Sequence, residues 1–213
     1  YKMEKQRELQ GILGILELAE KLKFELRHSW LSSGRRESVA EHTWRMSLFA
    51  VLIEPLLDQK VDLGRMLKMI IIHDLVEAEA GDVSVLDQIR NPQIRMAKQE
   101  REQRAIENIR EKLILTSGQE IYDLFHEFEA KQTYEAKVAN ALDKLEVQLQ
   151  HNHADIATWE EIEYELAFVM GKHVDFDSTL STIKSMVEQQ SKLKLQNAGL
   201  DVDTIITSSV QYK

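Results

Sequence analysis

The chain contains no cysteine. Disulfides and thiolate ligands are therefore excluded, and a bound metal would have to be held by imidazole and carboxylate groups. Only two prolines and eight glycines fall within 213 residues, so few breaks are imposed on regular structure. Strand-like alternation is missing as well, and together these scarcities support an almost wholly helical reading. No apolar run reaches the roughly 18 residues needed to cross a membrane, so no membrane partner is expected. The opening residues carry no signal-peptide pattern. Because the sequence begins at Tyr1 rather than methionine, a few preceding residues are expected. Positive charge is in deficit, with 27 Lys and Arg against 36 Asp and Glu for a net charge of −9. Long nucleic acids normally meet a basic surface, so they are not expected partners. A small anion is compatible, because one cation and a few arginines reverse the potential locally. The lack of cysteine also suits a reducing cytoplasm, which is the expected location.

Hydrophobic residues make up 43% and charged residues 30% of the chain, the balance of a globular protein with one sizeable core. Leu9, Ile12, Leu13, Ile15, Leu16, Leu18, Ala19 and Leu22 form a helical stripe within residues 5–23. Residues 28–37 read as a polar loop. Ser38 and Glu41 form a capping-box pattern that starts a helix just before His42 and runs to about Asp58, allowing for Pro55. Asp62 caps the next helix, expected to end near Gly81, and residues 81–90 read as a loop. Asn91-Pro92 is an N-cap followed by a helix-compatible proline. It opens a long charged helix to about Leu115. Further helices are expected over 118–130, 134–152, 155–171 and 178–195, with no clear pattern from Gln196 onward. No repeat or linker divides the chain, and an α-helical bundle is the natural architecture.

The chemistry concentrates at Met69-Ile70-Ile71-Ile72-His73-Asp74. Met66, Leu67, Leu75 and Val76 extend the apolar character around almost every face, as in a buried helix. An ionised carboxylate buried beside an imidazole costs several kcal/mol unless it is paired or metal-bound. Two further candidates lie at long range. His42 precedes the stripe Met46, Phe49, Ala50 and Ile53, which points it inward. Asp143 sits among Val138, Ala139, Ala141, Leu142, Leu145 and Val147, on or beside a buried face. His42, His73, Asp74 and Asp143 together offer two imidazoles and two carboxylates, a mixed set for one divalent ion (Co, Mn, Mg, Ni, Fe or Zn). With six-fold coordination two positions stay open, as at a catalytic rather than a structural site.

The H…HD…D pattern resembles the signature of HD-domain metal-dependent phosphohydrolases. Further segments, Arg27-His28-Ser29-Trp30, Glu37-Ser38-Val39-Ala40-Glu41-His42, His73-Asp74-Leu75-Val76-Glu77, Gly81-Asp82 and Leu142-Asp143-Lys144-Leu145-Glu146, resemble the branch containing bacterial 5′-deoxynucleotidases. The resemblance covers about residues 8–190. It implies an all-α, single-domain helical bundle over 1–195 with a C-terminal tail over 196–213, acting on a small nucleotide as a homodimer. It implies that His42, His73, Asp74 and Asp143 hold the ion. Glu77 would act on the attacking water, sharing a face with His73 if the helix continues. Arg27 would orient the phosphate and Trp30 would pack on the sugar, although Ser29 stands where a glycine is usual. Asp82, Val83, Ser84 and Val85 would contact the sugar, with His73 and Asp143 also touching substrate.

The ordinary alternatives are an acid in a solvated stretch for Glu77, a turn residue for Asp82, a surface arginine for Arg27 and a core tryptophan for Trp30. Arg35 and Arg36 are rival phosphate binders, otherwise solvated loop charges. His151 and His153, two apart, point to different faces and are expected to end a helix near its negative pole, a second metal being the alternative. His28, His126 and His173 have no matched partners. The expected activity is hydrolysis of deoxyribonucleoside 5′-monophosphates. An HD hydrolase of an alarmone or cyclic dinucleotide is the alternative enzyme, although no Gly-Tyr-Pro element is present and His73-Asp74-Leu75-Val76-Glu77-Ala78 lacks the alarmone branch's final acid. A metal-binding nucleotide sensor without catalysis is the alternative of a different class.

Overall fold

Ser38 starts the helix that carries His42. Its hydroxyl accepts from the Glu41 N–H and the Glu41 carboxylate accepts from the Ser38 N–H, the reciprocal box read from the sequence. In this computed structural model, which describes residues 2–212, helix α1 spans Lys2–Ala19 and α2 spans Val39–Ile53, ending in a 3₁₀ turn at Pro55. Helix α3 spans Leu63–His73, capped by Asp62, and short helices α4 and α5 cover Glu77–Ala80 and Val85–Arg90. The long charged helix α6 is Pro92–Lys112, with the Asn91 side chain accepting from Gln93 N as the Asn-Pro pair implies. Then come α7, Thr116–Ala130, and α8, Tyr134–His153.

Helices α2, α3, α7 and α8 pack around one core, with α6 and α1 laid outside α7 and α6. Met46, Met66, Met69, Ile70, Leu124, Leu142 and Leu145 are fully buried there. Burying one such side chain contributes about 1.5–3 kcal/mol, and the group holds the inward faces of α2, α3 and α8 in fixed register. His42, His73 and Asp143 ride on those same faces. The fold is therefore the predominantly helical single domain that the sequence implies. Among the described residues no helix is long and apolar enough to cross a membrane.

Four local expectations need correction. Residues 28–37 are not all loop: β1, Leu26–Trp30, pairs antiparallel with β2, Arg36–Ser38. The turn closes through Leu31 N to Arg35 O and uses Gly34 at φ 89°. Strands this short carry too few residues to show a period of two. The His73 helix does not run to Gly81. The Ile70 carbonyl, which a continuing helix would bond to Asp74 N, instead accepts from His73 Nδ1 at 2.6 Å. The chain turns at Asp74 and restarts at Glu77. Residues 81–90 contain α5, begun by the Ser84 hydroxyl.

The expected 155–171 helix is broken into a turn at Ile156–Thr158, α9 at Glu161–Leu166 and α10 at Gly171–Val174. Helix α11 follows at Ser178–Asn197. The patternless segment after it forms α12, Val202–Ser208, and a last turn to Tyr212. A smaller apolar cluster of Trp159, Phe168, Leu195 and Val202 ties these pieces together.

Candidate active site

The turn at Asp74 and the inward faces of α2, α3 and α8 bring four side chains to one point. His42 Nε2 lies 3.0 Å from Asp143 Oδ1 and 3.8 Å from Asp74 Oδ2, and His73 Nε2 lies 3.2 Å from Asp74 Oδ1. Ligand atoms of His42, His73 and Asp143 lie within 4.8 Å of one another, all buried. The distant pair His42 and Asp143 thus lies beside His73-Asp74.

The proton inventory decides what this cluster wants. A carbonyl can only accept, so His73 Nδ1 carries the proton it donates to Ile70 O, which leaves Nε2 as the nitrogen open to an ion or a second proton. That buried Nε2 has no hydrogen-bond partner. His42 Nδ1 donates to the Glu146 carboxylate, and its Nε2 faces Asp143 Oδ1 at 3.0 Å, a contact that needs a proton or a cation between the two atoms. Although burial opposes it, Asp143 and Glu146 push the His42 imidazole up to about 9 and Asp74 raises that of His73, so the cluster draws positive charge to these nitrogens, and a divalent ion would take the place of the protons. The residues present therefore fit one divalent ion, held through two imidazoles and two carboxylates.

A second grouping, Glu37, His42 and Glu146, shares His42. Arg45 Nε donates to Glu146 at 2.6 Å, and Arg27 Nε lies 3.7 Å from Glu37. Burial and the neighbouring Glu146 push the Glu37 carboxyl up to about 7. These groups orient the metal-facing imidazole from behind, a common arrangement around histidine ligands. Glu146 carries this role unnoticed in the sequence, and its only signal there is an acid three residues past Asp143 among apolar neighbours.

A cleft of about 440 Å³ opens in front of the cluster. Arg27, Asp74, Glu77, Asp82, Val83, Ser84, Val85 and Asp143 all line it. Arg27 NH1 approaches Asp74 Oδ2 at 3.4 Å. Glu77 reaches the cleft although the helix behind it is interrupted. Burial, with Asp74 and Asp82 beside it, pushes its carboxyl well above the usual range, and its Oε2 has no partner. Lys98 lies 3.8 Å from Glu77 Oε1. Asp82 is fixed through its backbone, whose N–H donates to Glu25 at 2.9 Å.

Trp30 does not line the cleft. It is half-buried, and its carbonyl accepts from Gln150 at 2.6 Å. Arg35 pairs with Glu41 on the surface, and Arg36 donates to Arg27 O, which holds the β1–β2 hairpin together. Three histidines without an assigned part in the site also line the cleft: His28 and His151, both beside Glu163, and His173.

Comparison with known proteins matches this architecture. The family described as HD domain matches residues 19–184. The chain belongs to the HD-domain family, and with its buried ligand cluster it is a metal-dependent phosphohydrolase of that family. It is 30% identical over 173 residues to the 5'-deoxynucleotidase HDDC2 of Homo sapiens, covering 80% of this chain and 77% of that protein. It is 32% identical over 143 residues to the 5'-deoxynucleotidase HDDC2 of Xenopus laevis, covering 66% and 68%. Among solved structures it resembles a "Predicted metal-dependent phosphohydrolase" from Magnetospirillum magnetotacticum MS-1, with TM-score 0.74, 27% identity and coverage of 91% of this chain and 98% of that one.

Proposed function

We propose that the protein is a 5′-deoxynucleotidase, hydrolysing deoxyribonucleoside 5′-monophosphates to deoxynucleosides and inorganic phosphate. The observation that carries the reading is the cleft itself. Arg27, the buried Glu77 carboxyl and the Asp82–Val85 wall lie along it beside the cluster of His42, His73 and Asp143. The relatives named as 5'-deoxynucleotidases support it.

His42, His73, Asp74 and Asp143 would hold one divalent ion, which when bound polarises phosphate oxygens and makes water more acidic. Glu77 accepts a proton from the water that attacks phosphorus, a task suited to a buried carboxyl facing the cleft whose pKa stands well above the ordinary carboxylate value. Arg27 donates to the equatorial oxygens, where its planar fork matches phosphate and offsets the developing charge. The bond from phosphorus to the 5′-oxygen breaks, and that oxygen leaves protonated from solvent. Asp82 to Val85 contact the sugar.

The exposed apolar residues Leu13 and Leu16 of α1 and Trp44 and Leu52 of α2 support the homodimer. Cytoplasmic action belongs to the same reading. Phosphate release from deoxy- and ribonucleoside monophosphates with Mn²⁺, Co²⁺ and Mg²⁺ tests the activity. Release from the deoxy series alone is expected. Release only from other nucleotides, or none with any ion, would overturn it.

A further inference from the structure

The cleft has a second end that neither holds the ion nor activates water. Asp143, Val147 and His151 recur every four residues on α8 and all line the cleft. Eight residues of helix place His151 about 12 Å beyond Asp143. That span is comparable to the distance from phosphorus to the far edge of the base in a nucleoside 5′-monophosphate.

At this far end Glu163 Oε1 lies 3.4 Å from His28 Nε2 and 3.6 Å from His151 Nε2. Its other oxygen accepts from Glu160 N at 2.7 Å and so anchors the start of α9. His151 is only 8% exposed, and its Nδ1 has no hydrogen-bond partner. An unpartnered buried polar atom costs free energy unless a ligand completes it. Leu166, Ile89 and Tyr212 also line the cleft, on or beside α9: Leu166 lies on it, Ile89 precedes Arg90, which pairs with Glu160, and Tyr212 follows Gln211, which donates to Glu165. Apolar walls with a few convergent polar groups suit a flat heteroaromatic ring.

We propose that this end of the cleft is the nucleobase subsite, with Tyr212, Leu166 and Ile89 against the ring and His28, His151 and Glu163 reading its polar edge. The proposal rests on the nucleotidase reading above and names the part of that substrate recognised away from the ion. Tyr212 lies beyond residue 184, where the HD-domain match ends. It reaches the cleft through α12 and the last turn, which pack against α9.

The test uses 2-aminopurine 2′-deoxyriboside, a fluorescent nucleoside without phosphate, titrated into the full chain. Saturable quenching is expected with the wild type, and Tyr212→Ala weakens it about tenfold, the scale of one lost base-stacking contact. In parallel, kcat/KM is measured for dAMP, dCMP, dGMP, dTMP and deoxyribose 5-phosphate. Glu163→Gln keeps an acceptor for the α9 cap, and His151→Gln is the second variant. Each is expected to change the ranking of the bases and to lower the ratio of nucleotide to sugar-phosphate efficiency.

Absence of saturable quenching in the wild type overturns the subsite, and so does an equal loss on sugar phosphate and nucleotides. Nucleoside binding without phosphate release from any deoxynucleotide supports the subsite while refuting the nucleotidase reading. Phosphate release with no base dependence in any variant refutes the subsite alone.

Discussion

His42 addresses two carboxylates of one helix at once. Its Nε2 lies 3.0 Å from Asp143 Oδ1, and its Nδ1 hydrogen-bonds Glu146, one turn further along α8. Asp143 and Glu146 thereby divide the work: one shares the metal-facing nitrogen, and the other fixes the ring from behind. Replacing Glu146 by Gln should leave the ligand set intact yet weaken Mn²⁺ or Co²⁺ affinity by about 10–100-fold, the usual effect of losing a carboxylate that orients a histidine ligand. Calorimetric titration of the ion into the variant checks this, and wild-type affinity would contradict it.

Asp74 faces both imidazoles and the Arg27 guanidinium. Asp74→Ala should lower kcat/KM by about 10³ or more, since the ion supplies several kcal/mol of transition-state stabilisation. The fold should survive in weakened form, because the core residues are untouched, and thermal unfolding should stay cooperative at a lower Tm. Full activity in a metal-free Asp74→Ala protein would remove the ion from the reaction.

Chelation should act on stability as well as on turnover. An ion that binds only the folded state should raise Tm. Addition of a chelator should lower Tm and abolish phosphate release, and added Mn²⁺ or Co²⁺ should restore both. Differential scanning fluorimetry with a phosphate assay measures the pair. Lost turnover with no change in Tm would mean that these residues do not hold the ion.

The candidate ligands were legible through two signals together: ionisable groups set among apolar residues such as Ile70, Ile72, Ala141 and Leu142, and the resemblance of the H…HD…D pattern and its flanking segments to the HD-domain family. The end of α3 was not legible, since the interruption comes from a side chain, His73 Nδ1 taking Ile70 O, with no glycine or proline to mark it. The β1–β2 hairpin was hidden for lack of length, and the Arg36 side chain that ties it to Arg27 O reads as a loop charge. The far end of the cleft draws His28, His151, Glu163 and Tyr212 from four separate segments. Only tertiary packing joins them, so no local spacing could announce them.

Two glycines of α1 should respond oppositely to alanine. A Cβ on Gly11 would lie 2.1 Å from the Lys112 carbonyl oxygen, where α1 meets the end of α6, whereas a Cβ on Gly14 would meet nothing within 4 Å. Gly11→Ala should cost about 1–3 kcal/mol through overpacking. Gly14→Ala should stabilise by about 0.5–1 kcal/mol, because alanine loses less backbone entropy in a helix. Urea unfolding of both variants reads the difference, and equal effects would mean that α1 does not pack closely on α6.

Asp177 should set part of the acid limit of stability. Its carboxylate caps α11 through Leu180 N at 2.9 Å, accepts from Asp58 N at 2.9 Å and accepts from the Tyr134 hydroxyl. Burial opposes its ionisation, but the Tyr134 hydrogen bond and these backbone N–H groups outweigh it and hold its pKa below the usual carboxylate value. A carboxylate whose folded pKa is depressed contributes stability that is complete above its unfolded pKa. That contribution is lost as pH falls through the folded value. The wild type should therefore keep this contribution down to the ordinary carboxylate range and lose it only as pH falls through and below that range, and Asp177→Asn should be less stable at pH 7 with a shallower decline there. Urea midpoints measured from pH 7 downward decide it. Parallel pH curves for the two proteins would show that this carboxylate's charge does not contribute to folding.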